Sequence, residues 1–166
     1  MSKTEGNLKE AFAGESQANR KYLAFADKAE KEGFSQAARL FRAAAEAETV
    51  HAHNHLRALK AILSTKENLQ AAVSGETHEF VNMYPDMIAE AEKEGNKEAK
   101  QSFVWANEVE KIHAGLYQKM LDDLEKAGCG DTPYFVCPFC GFTAEGEAPG
   151  KCPVCGVFGT IFKMID

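Results

Sequence analysis

The sequence predicts a mainly α-helical fold, with an antiparallel four-helix bundle over residues 1–130 and a small C-terminal metal domain of short strands and loops over residues 131–166. Three observations support this prediction. Apolar residues recur at helical spacing from Leu8 to Ala127, a stretch that contains one proline. The same stretch repeats itself, as described below. Four of the five cysteines lie between Cys137 and Cys155, which marks a change of composition and a domain boundary.

Glycines and capping residues divide the helical part into segments. Gly33 and Gly95 stand where helices would end, and the Ser64–Glu67 segment is typical of a capping box at a helix start. Pro85 would bend the third helix and release a backbone carbonyl near Val81. The predicted helices lie near residues 4–32, 35–63, 66–94 and 96–127.

The helical part is internally duplicated. Glu15 corresponds to Glu76 at an offset of 61 residues. The Ala-Glu-Lys-Glu-Gly segment that ends at Gly33 recurs at Gly95 with an offset of 62, so one residue has been added between these landmarks. Core packing alone would repeat apolar positions and has no reason to repeat polar ones. An αα-hairpin has therefore been doubled into a bundle.

The repeated polar residues form one candidate metal site. A lone Glu-x-x-His pair on a Glu-rich helix is usually a solvated face. Here the pair occurs twice at an offset of 62, and a Glu lies in the middle of each preceding helix. Residues three apart share a helix side, so each pair can reach one point, and the whole set matches the ligands of di-iron carboxylate bundles. The predicted ligands are Glu15, Glu48, His51, Glu76, Glu110 and His113.

Two other positions extend this site. Glu79 follows Glu76 by three residues on the same face and has no acidic counterpart in the first half. If Glu79 faces the site, the second hairpin offers one more carboxylate than the first; the alternative is a surface residue. Tyr22 lies seven residues after Glu15 and, like Tyr84, is a candidate for a hydroxyl near the carboxylates, with plain packing as the alternative.

Composition and charge exclude several classes of partner. The formal net charge is −6 and there is no basic patch, so we expect no nucleic acid. No stretch approaches the roughly 20 apolar residues of a membrane span, and the first residues contain no apolar signal core. We therefore expect no membrane partner and a cytoplasmic location. Thiols stay reduced there, so clustered cysteines indicate a metal site rather than disulfides.

The cysteines form two Cys-x-x-Cys knuckles, Cys137 with Cys140 and Cys152 with Cys155, each followed by glycine. Four thiolates at this spacing predict a tetrahedral metal site. A segment of this size cannot build a sufficient core, so the metal must help to fold it. Zinc and iron both suit four thiolates; an electron carrier beside a di-iron site favours iron. Cys129 stands alone in the linker and has no assigned role.

With these motifs, the chain resembles the rubrerythrins, which join a ferritin-like di-iron bundle to a rubredoxin-like domain. The resemblance covers essentially the whole length. It rests on the two Glu-x-x-His pairs, the two cysteine knuckles, the Phe12–Ala18 segment, and the Gly75–Glu79 segment followed by Met83-Tyr84-Pro85. It implies that Glu79 is a seventh ligand and that Glu48 and Glu110 bridge the irons. It also implies a redox-linked exchange of Glu79 for His51 on one iron.

The resemblance further implies an activity, in which a non-haem iron peroxidase reduces hydrogen peroxide to water. Glu79, His51 and Tyr22 would be its catalytic residues. Two irons, bridged by carboxylate and oxo groups, would be supplied with electrons by the cysteine-bound iron. The electrons would come from NAD(P)H through a separate reductase or a rubredoxin, because the chain has no Gly-rich dinucleotide motif.

The expected assembly is a homodimer. A bundle about 40 Å long would leave the cysteine site of one chain far from its own bundle ligands. In a head-to-tail pair each cysteine domain would instead sit against the partner's bundle. Helices exchanged between subunits would give the same ligand set.

Two other functions fit parts of the sequence. A ferritin-type ferroxidase would oxidise ferrous iron without needing the cysteine site. A zinc-ribbon binding module on a structural bundle would hold one zinc and leave the bundle empty.

Overall fold

The computed structural model describes residues 2–124, 126 and 131–165. The described helices are α1 (Lys3–Lys31), α2 (Ser35–Ala58), α3 (Thr65–His78), α4 (Tyr84–Lys93) and α5 (Lys97–Asp123). A π-helical turn, Glu79–Met83, joins α3 to α4. The described strands are β1 (Tyr134–Val136), β2 (Thr143–Glu145) and β3 (Lys163–Ile165), with a 3-10 turn at Gly159–Ile161. The mainly helical fold with a small strand-containing cysteine domain is confirmed.

The chain divides into two compact units, Met1–Leu63 and Ser64–Asp166. The predicted boundary between residues 130 and 131 adjoins residues 127–130, which lie outside the described residues, as does Cys129. That boundary stays a prediction. Within the described part of the chain, no helix has the length and apolar character needed to cross a membrane.

The first unit is the hairpin of α1 and α2. Ser2 caps α1 by accepting a hydrogen bond from the Glu5 N–H at 3.1 Å. The buried residues between the two helices are small: Ala26, Ala29, Ala38, Ala45 and Ala52. Small side chains let the helices approach closely, and Asn19 Nδ2 donates across the interface to the Ala45 carbonyl at 2.7 Å. The polar side chains of one helix can therefore reach those of the other.

The second unit begins at the predicted capping box. The Ser64 side chain accepts from the Glu67 N–H, and the Glu67 side chain accepts from the Ser64 N–H. From there α3, the π-turn and α4 run antiparallel to α5, which Asn96 caps by accepting from the Ala99 N–H at 3.1 Å. Ala91, Val109 and Ala114 are buried in this unit.

The second helix ends earlier than predicted, at Ala58 rather than residue 63. Lys60 adopts a positive φ of 53°, the conformation that usually requires glycine at a helix end. The Ala61 N–H donates to the Leu56 carbonyl at 3.0 Å, which closes the last turn. Since a lysine takes this place, the sequence carries no stop signal here.

The third predicted helix is interrupted rather than simply bent. The π-turn Glu79–Met83 stands before Pro85, which occupies the first turn of α4, where its missing N–H costs least. A π-turn accommodates one residue more than an α-turn over the same rise. It lies between Glu76 and Gly95, so it accounts for the change of offset from 61 to 62 between the two halves.

The cysteine domain is a three-stranded antiparallel sheet in the order β2-β1-β3. Two knuckle turns hold the cysteines. The Cys137 N–H donates to the Phe142 carbonyl at 2.9 Å, and the Cys152 N–H donates to the Val157 carbonyl at 2.8 Å. Gly141, directly after Cys140, has a φ of +87°, the left-handed conformation that this turn needs.

Candidate metal centres

The first unit brings together the three ligands predicted for it. One ligand atom from each of Glu15, Glu48 and His51 lies within 4.8 Å of the others. His51 Nδ1 is 2.8 Å from Glu48 Oε2 and 3.9 Å from Glu15 Oε1. The i,i+3 spacing on α2 sets the Glu48–His51 pair, and the close packing of α1 brings Glu15 to it.

The second unit repeats this arrangement with Glu76, Glu110 and His113, whose ligand atoms also lie within 4.8 Å of one another. His113 Nδ1 is 2.7 Å from Glu110 Oε2. On its other side, His113 Nε2 lies 2.9 Å from the hydroxyl oxygen of Thr143, in β2. This last contact was not predicted from the sequence.

The chemistry of both groups fits a divalent cation. Each offers two carboxylates and an imidazole nitrogen, the donor set of di-iron carboxylate bundles. Electrostatics in the second group point the same way. Burial, followed by the charge of Glu110, raises the pKa of Glu76 to about 6, although His113 acts in the opposite direction. A raised pKa means that the ionised carboxylate is disfavoured, so a proton or a metal ion is needed to stabilise the carboxylates that are held together here.

Glu79 is the first residue of the π-turn and is half-buried. Its carboxylate is not part of the three-residue group, yet its charge contributes to the raised pKa values of Glu76 and Tyr84. Glu79 therefore lies beside the group and not on a remote surface. Its role as a ligand and its exchange with His51 stay predictions.

The tyrosines separate into two environments. Tyr22 packs against Phe25 and Phe41, with ring centroids 6.3 and 6.2 Å away. Its catalytic role stays a prediction. Burial, followed by the charges of Glu110, Glu79 and Glu76, raises the pKa of Tyr84.

Tyr117 is a second residue, after Thr143, that sequence reasoning missed. Burial, then Glu76 and Glu110, raise the pKa of its hydroxyl. The available signal was its position four residues after His113, on the same face of α5.

The four knuckle cysteines form the third group, and their sulfur atoms lie within 4.8 Å of one another. Cys137 Sγ is 3.6 Å from Cys155 Sγ, and Cys140 Sγ is 3.5 Å from Cys152 Sγ. A tetrahedral ion with metal–sulfur bonds of about 2.3 Å separates its sulfurs by roughly 3.8 Å, whereas a disulfide needs about 2.05 Å. The geometry therefore fits one bound metal ion.

Backbone hydrogen bonds favour thiolates in this group. Burial would raise the pKa of Cys152, but N–H groups of Cys155 and Val154 lower it to about 7, with help from Cys140. Burial raises the pKa of Cys140. A metal ion that binds here must therefore displace protons from some of its ligands.

The cysteine domain packs along α5 of its own chain. The rings of Trp105 and Phe139 meet edge to face with centroids 6.1 Å apart. Further along α5, His113 contacts Thr143, and Lys119 forms an ion pair with Glu145. We expected the cysteine site to lie far from the bundle ligands of its own chain. This expectation was wrong for His113, the ligand on α5 that contacts the cysteine domain. A partner chain is not needed to bring the cysteine domain to His113.

Comparisons with known proteins agree with the two-part architecture. The family model of rubrerythrin matches residues 6–121, and that of the rubrerythrin rubredoxin-like domain matches residues 135–163. The chain is 39% identical to rubrerythrin-2 of Clostridium acetobutylicum, over 90% of each protein. It is 36% identical to nigerythrin of Nitratidesulfovibrio vulgaris, over 90% of this chain and 80% of that protein. The solved structure of fully reduced, all-ferrous nigerythrin superimposes with a TM-score of 0.60 at 34% identity, covering 99% of this chain and 88% of the other.

Proposed function

Because the chain belongs to the rubrerythrin family, we propose that it is a non-haem iron peroxidase that reduces hydrogen peroxide to water. Each peroxide molecule takes two electrons and two protons and yields two water molecules. One observation carries the proposal. The cysteine domain packs against α5 at the ligand group, with His113 Nε2 2.9 Å from Thr143 Oγ1. A ferroxidase would have no use for such an electron carrier.

In this proposal the two ligand groups together hold a pair of irons. The carboxylates of both groups carry four negative charges, which two divalent ions balance. Glu48 and Glu110 would each help to hold the pair, and Glu79 would join them as the additional carboxylate of the second hairpin. Iron bound there would supply the electrons that break the oxygen–oxygen bond. The ligands of the proposed iron pair are Glu15, Glu48, His51, Glu76, Glu79, Glu110 and His113.

The residues around the second group supply hydrogen bonds. Burial and neighbouring carboxylates raise the pKa values of Tyr84 and Tyr117, so both phenols keep their protons at neutral pH. We assign to them the donation of hydrogen bonds to peroxide oxygen. Tyr22 would act in the same way in the first hairpin.

The supply of electrons completes the proposal. The four cysteines would hold one iron, and the chemistry that it would supply is the transfer of single electrons to the bundle. The electrons would come from NAD(P)H through a separate reductase or a rubredoxin, in the cytoplasm. A homodimer, with or without exchanged helices, belongs to the same proposal.

Metal content and turnover test this function. We expect about two irons in the bundle and one in the cysteine site, with peroxide reduction when an electron donor is added. Cys140→Ser should abolish turnover while leaving the bundle irons in place. If the Cys140→Ser variant still forms mineral from ferrous iron and oxygen, the ferroxidase would be favoured instead. A single zinc with an empty bundle would contradict both.

Glu79 can be tested separately. Glu79→Ala should slow peroxide turnover, because the proposal gives this carboxylate a place on the iron pair. Glu108→Ala, an exposed acidic position on α5, is the matched control and should have no effect. Unchanged turnover in Glu79→Ala would remove this residue from the mechanism.

A further inference from the structure

The two duplicated histidines differ in one contact. Each places Nδ1 close to its own Glu, at 2.8 Å for His51 and 2.7 Å for His113. The His51 side chain is 54% exposed, and in the described part of the chain its polar contacts are Glu48 and Glu15. The His113 side chain is 26% exposed, and its second nitrogen, Nε2, meets Thr143. The duplication therefore does not explain the Thr143 contact.

The direction of this hydrogen bond follows from the other contact of the hydroxyl. Thr143 Oγ1 lies 3.2 Å from the carbonyl oxygen of Gly141, and a carbonyl can only accept. The hydroxyl therefore donates to Gly141, and its own oxygen accepts from the Nε2–H of His113. An imidazole with that proton on Nε2 has its lone pair on Nδ1, the nitrogen that faces Glu110.

Thr143 is attached to the first cysteine knuckle on two sides. It is the first residue of β2, and in the sheet it pairs with Val136, which directly precedes Cys137. Gly141, which accepts its hydroxyl hydrogen bond, directly follows Cys140. One short side chain thus connects a candidate bundle ligand with the residues next to two candidate cysteine ligands.

The surroundings leave His113 Nε2 with little else to bind. A cavity of about 360 Å³ adjoins His113 and Thr143, and the rest of its lining is mostly apolar or aromatic, including Leu69, Leu116 and Met120. An N–H group in such a setting loses more when its partner is removed than it would in water.

We propose that Thr143 is the positioning residue of the group formed by Glu76, Glu110 and His113. Its hydroxyl oxygen accepts the Nε2–H of His113 and so directs Nδ1 to the metal. The same side chain ties that ligand to the first cysteine knuckle. The proposal rests on the proposed function. When bound, the cysteine iron would supply one electron at a time, going from ferrous to ferric as one iron of the pair goes from ferric to ferrous. The protons of the two hydrogen bonds stay in place.

Three variants of the full chain separate the effect of the Thr143 hydroxyl from that of the size and shape of the side chain. Thr143→Val removes the hydroxyl and keeps the branched shape that suits a strand, and Thr143→Ala serves where valine is not tolerated. Thr143→Ser keeps the hydroxyl and should restore the wild-type behaviour. Thr160→Val makes the same change at an exposed position of the same domain and is the matched control.

The first measurement uses the full chain loaded with zinc, which is diamagnetic and accepts nitrogen, oxygen and sulfur ligands. NMR of the imidazole N–H groups should show a slowly exchanging Nε2–H on His113 in the wild type, Thr143→Ser and Thr160→Val. That proton should exchange rapidly in Thr143→Val. Equal protection in Thr143→Val would overturn the proposal, as would a metal bound to Nε2.

The second measurement uses the iron-loaded chain. The fully reduced protein is mixed with hydrogen peroxide, and the visible absorbance of the ferric thiolate reports when the cysteine-bound iron gives up its electron. Loss of a partner that orients a metal ligand typically costs about tenfold to a hundredfold, so Thr143→Val should slow this step at least about tenfold. Thr143→Ser and Thr160→Val should stay close to the wild-type rate.

A Thr143→Val chain that transfers electrons at the wild-type rate would overturn the proposal. A wild-type chain that does not reduce peroxide would refute the proposed function, and the zinc measurement would still decide on Thr143.

Discussion

Replacing Glu76 with glutamine should stabilise the metal-free protein at neutral pH. Burial, followed by the charge of Glu110, raises the pKa of Glu76 from 4.5 to about 6. Because one pKa unit corresponds to about 1.4 kcal/mol, ionised Glu76 would cost the folded state about 2 kcal/mol without screening. Glu76 is only partly buried, so solvent screening reduces this cost to about 1 kcal/mol.

The sign of the pH dependence follows from the raised pKa. A carboxyl group whose pKa is higher in the folded chain stabilises the fold when it is protonated. This contribution is complete below the unfolded pKa of 4.5 and is lost as the pH rises through about 6. Glu76→Gln removes the dependence. We therefore expect equal stability near pH 4.5 and a gain of about 1 kcal/mol for the variant above pH 6.

Urea unfolding of the metal-free chain, followed by far-UV circular dichroism at several pH values, measures this difference. Glu108→Gln, on an exposed position of the same helix as Glu110, is the matched control and should change stability little at any pH. The reasoning fails if Glu76→Gln is no more stable than the wild type at neutral pH, or if its gain is as large near pH 4.5. With metal bound the effect should reverse, because a ligand is lost.

Three further changes test the fold. Gly159→Ala should weaken metal retention by the cysteine domain against a chelator, because a Cβ at Gly159 would overlap the Pro149 carbonyl. The control is Gly150→Ala, which should retain metal as the wild type does because the space around Gly150 is open. Ser64→Ala should lower the free energy of unfolding by about 1 kcal/mol, measured in urea, because it removes the capping box; an unchanged midpoint would contradict this. Deleting Asn82 should restore an α-turn like that of the first hairpin, keeping Glu76 beside Glu110 and taking Glu79 out of its place. Metal analysis should then find the bundle irons retained, while peroxide turnover slows as in Glu79→Ala.

Local spacing explains why much of the candidate site could be predicted. Glu48 and His51 share a helix face whatever the tertiary structure, and the duplication then identifies their counterparts. The cysteine knuckles are equally local, because each Cys-x-x-Cys turn closes on itself through the Cys137 and Cys152 N–H groups.

Long-range packing explains what the sequence could not predict. The contact between His113 and Thr143 joins residues 30 apart and depends on how the cysteine domain packs on α5. No pattern of residue types specifies that packing. The early end of α2 was missed for another reason, because a lysine at position 60 adopts a conformation that sequence rules reserve for glycine or asparagine.

The π-turn has a consequence for how the two hairpins could diverge. A substitution changes the chemistry at a position, whereas an inserted residue that a π-turn takes up changes which side chains face the site only within that turn. The single insertion keeps both Glu-x-x-His pairs and both mid-helix Glu residues equivalent, and gives Glu79 a place that no residue of the first copy holds. Within this chain, an insertion or deletion of one codon could therefore add or remove a carboxylate without altering any of the six duplicated residues.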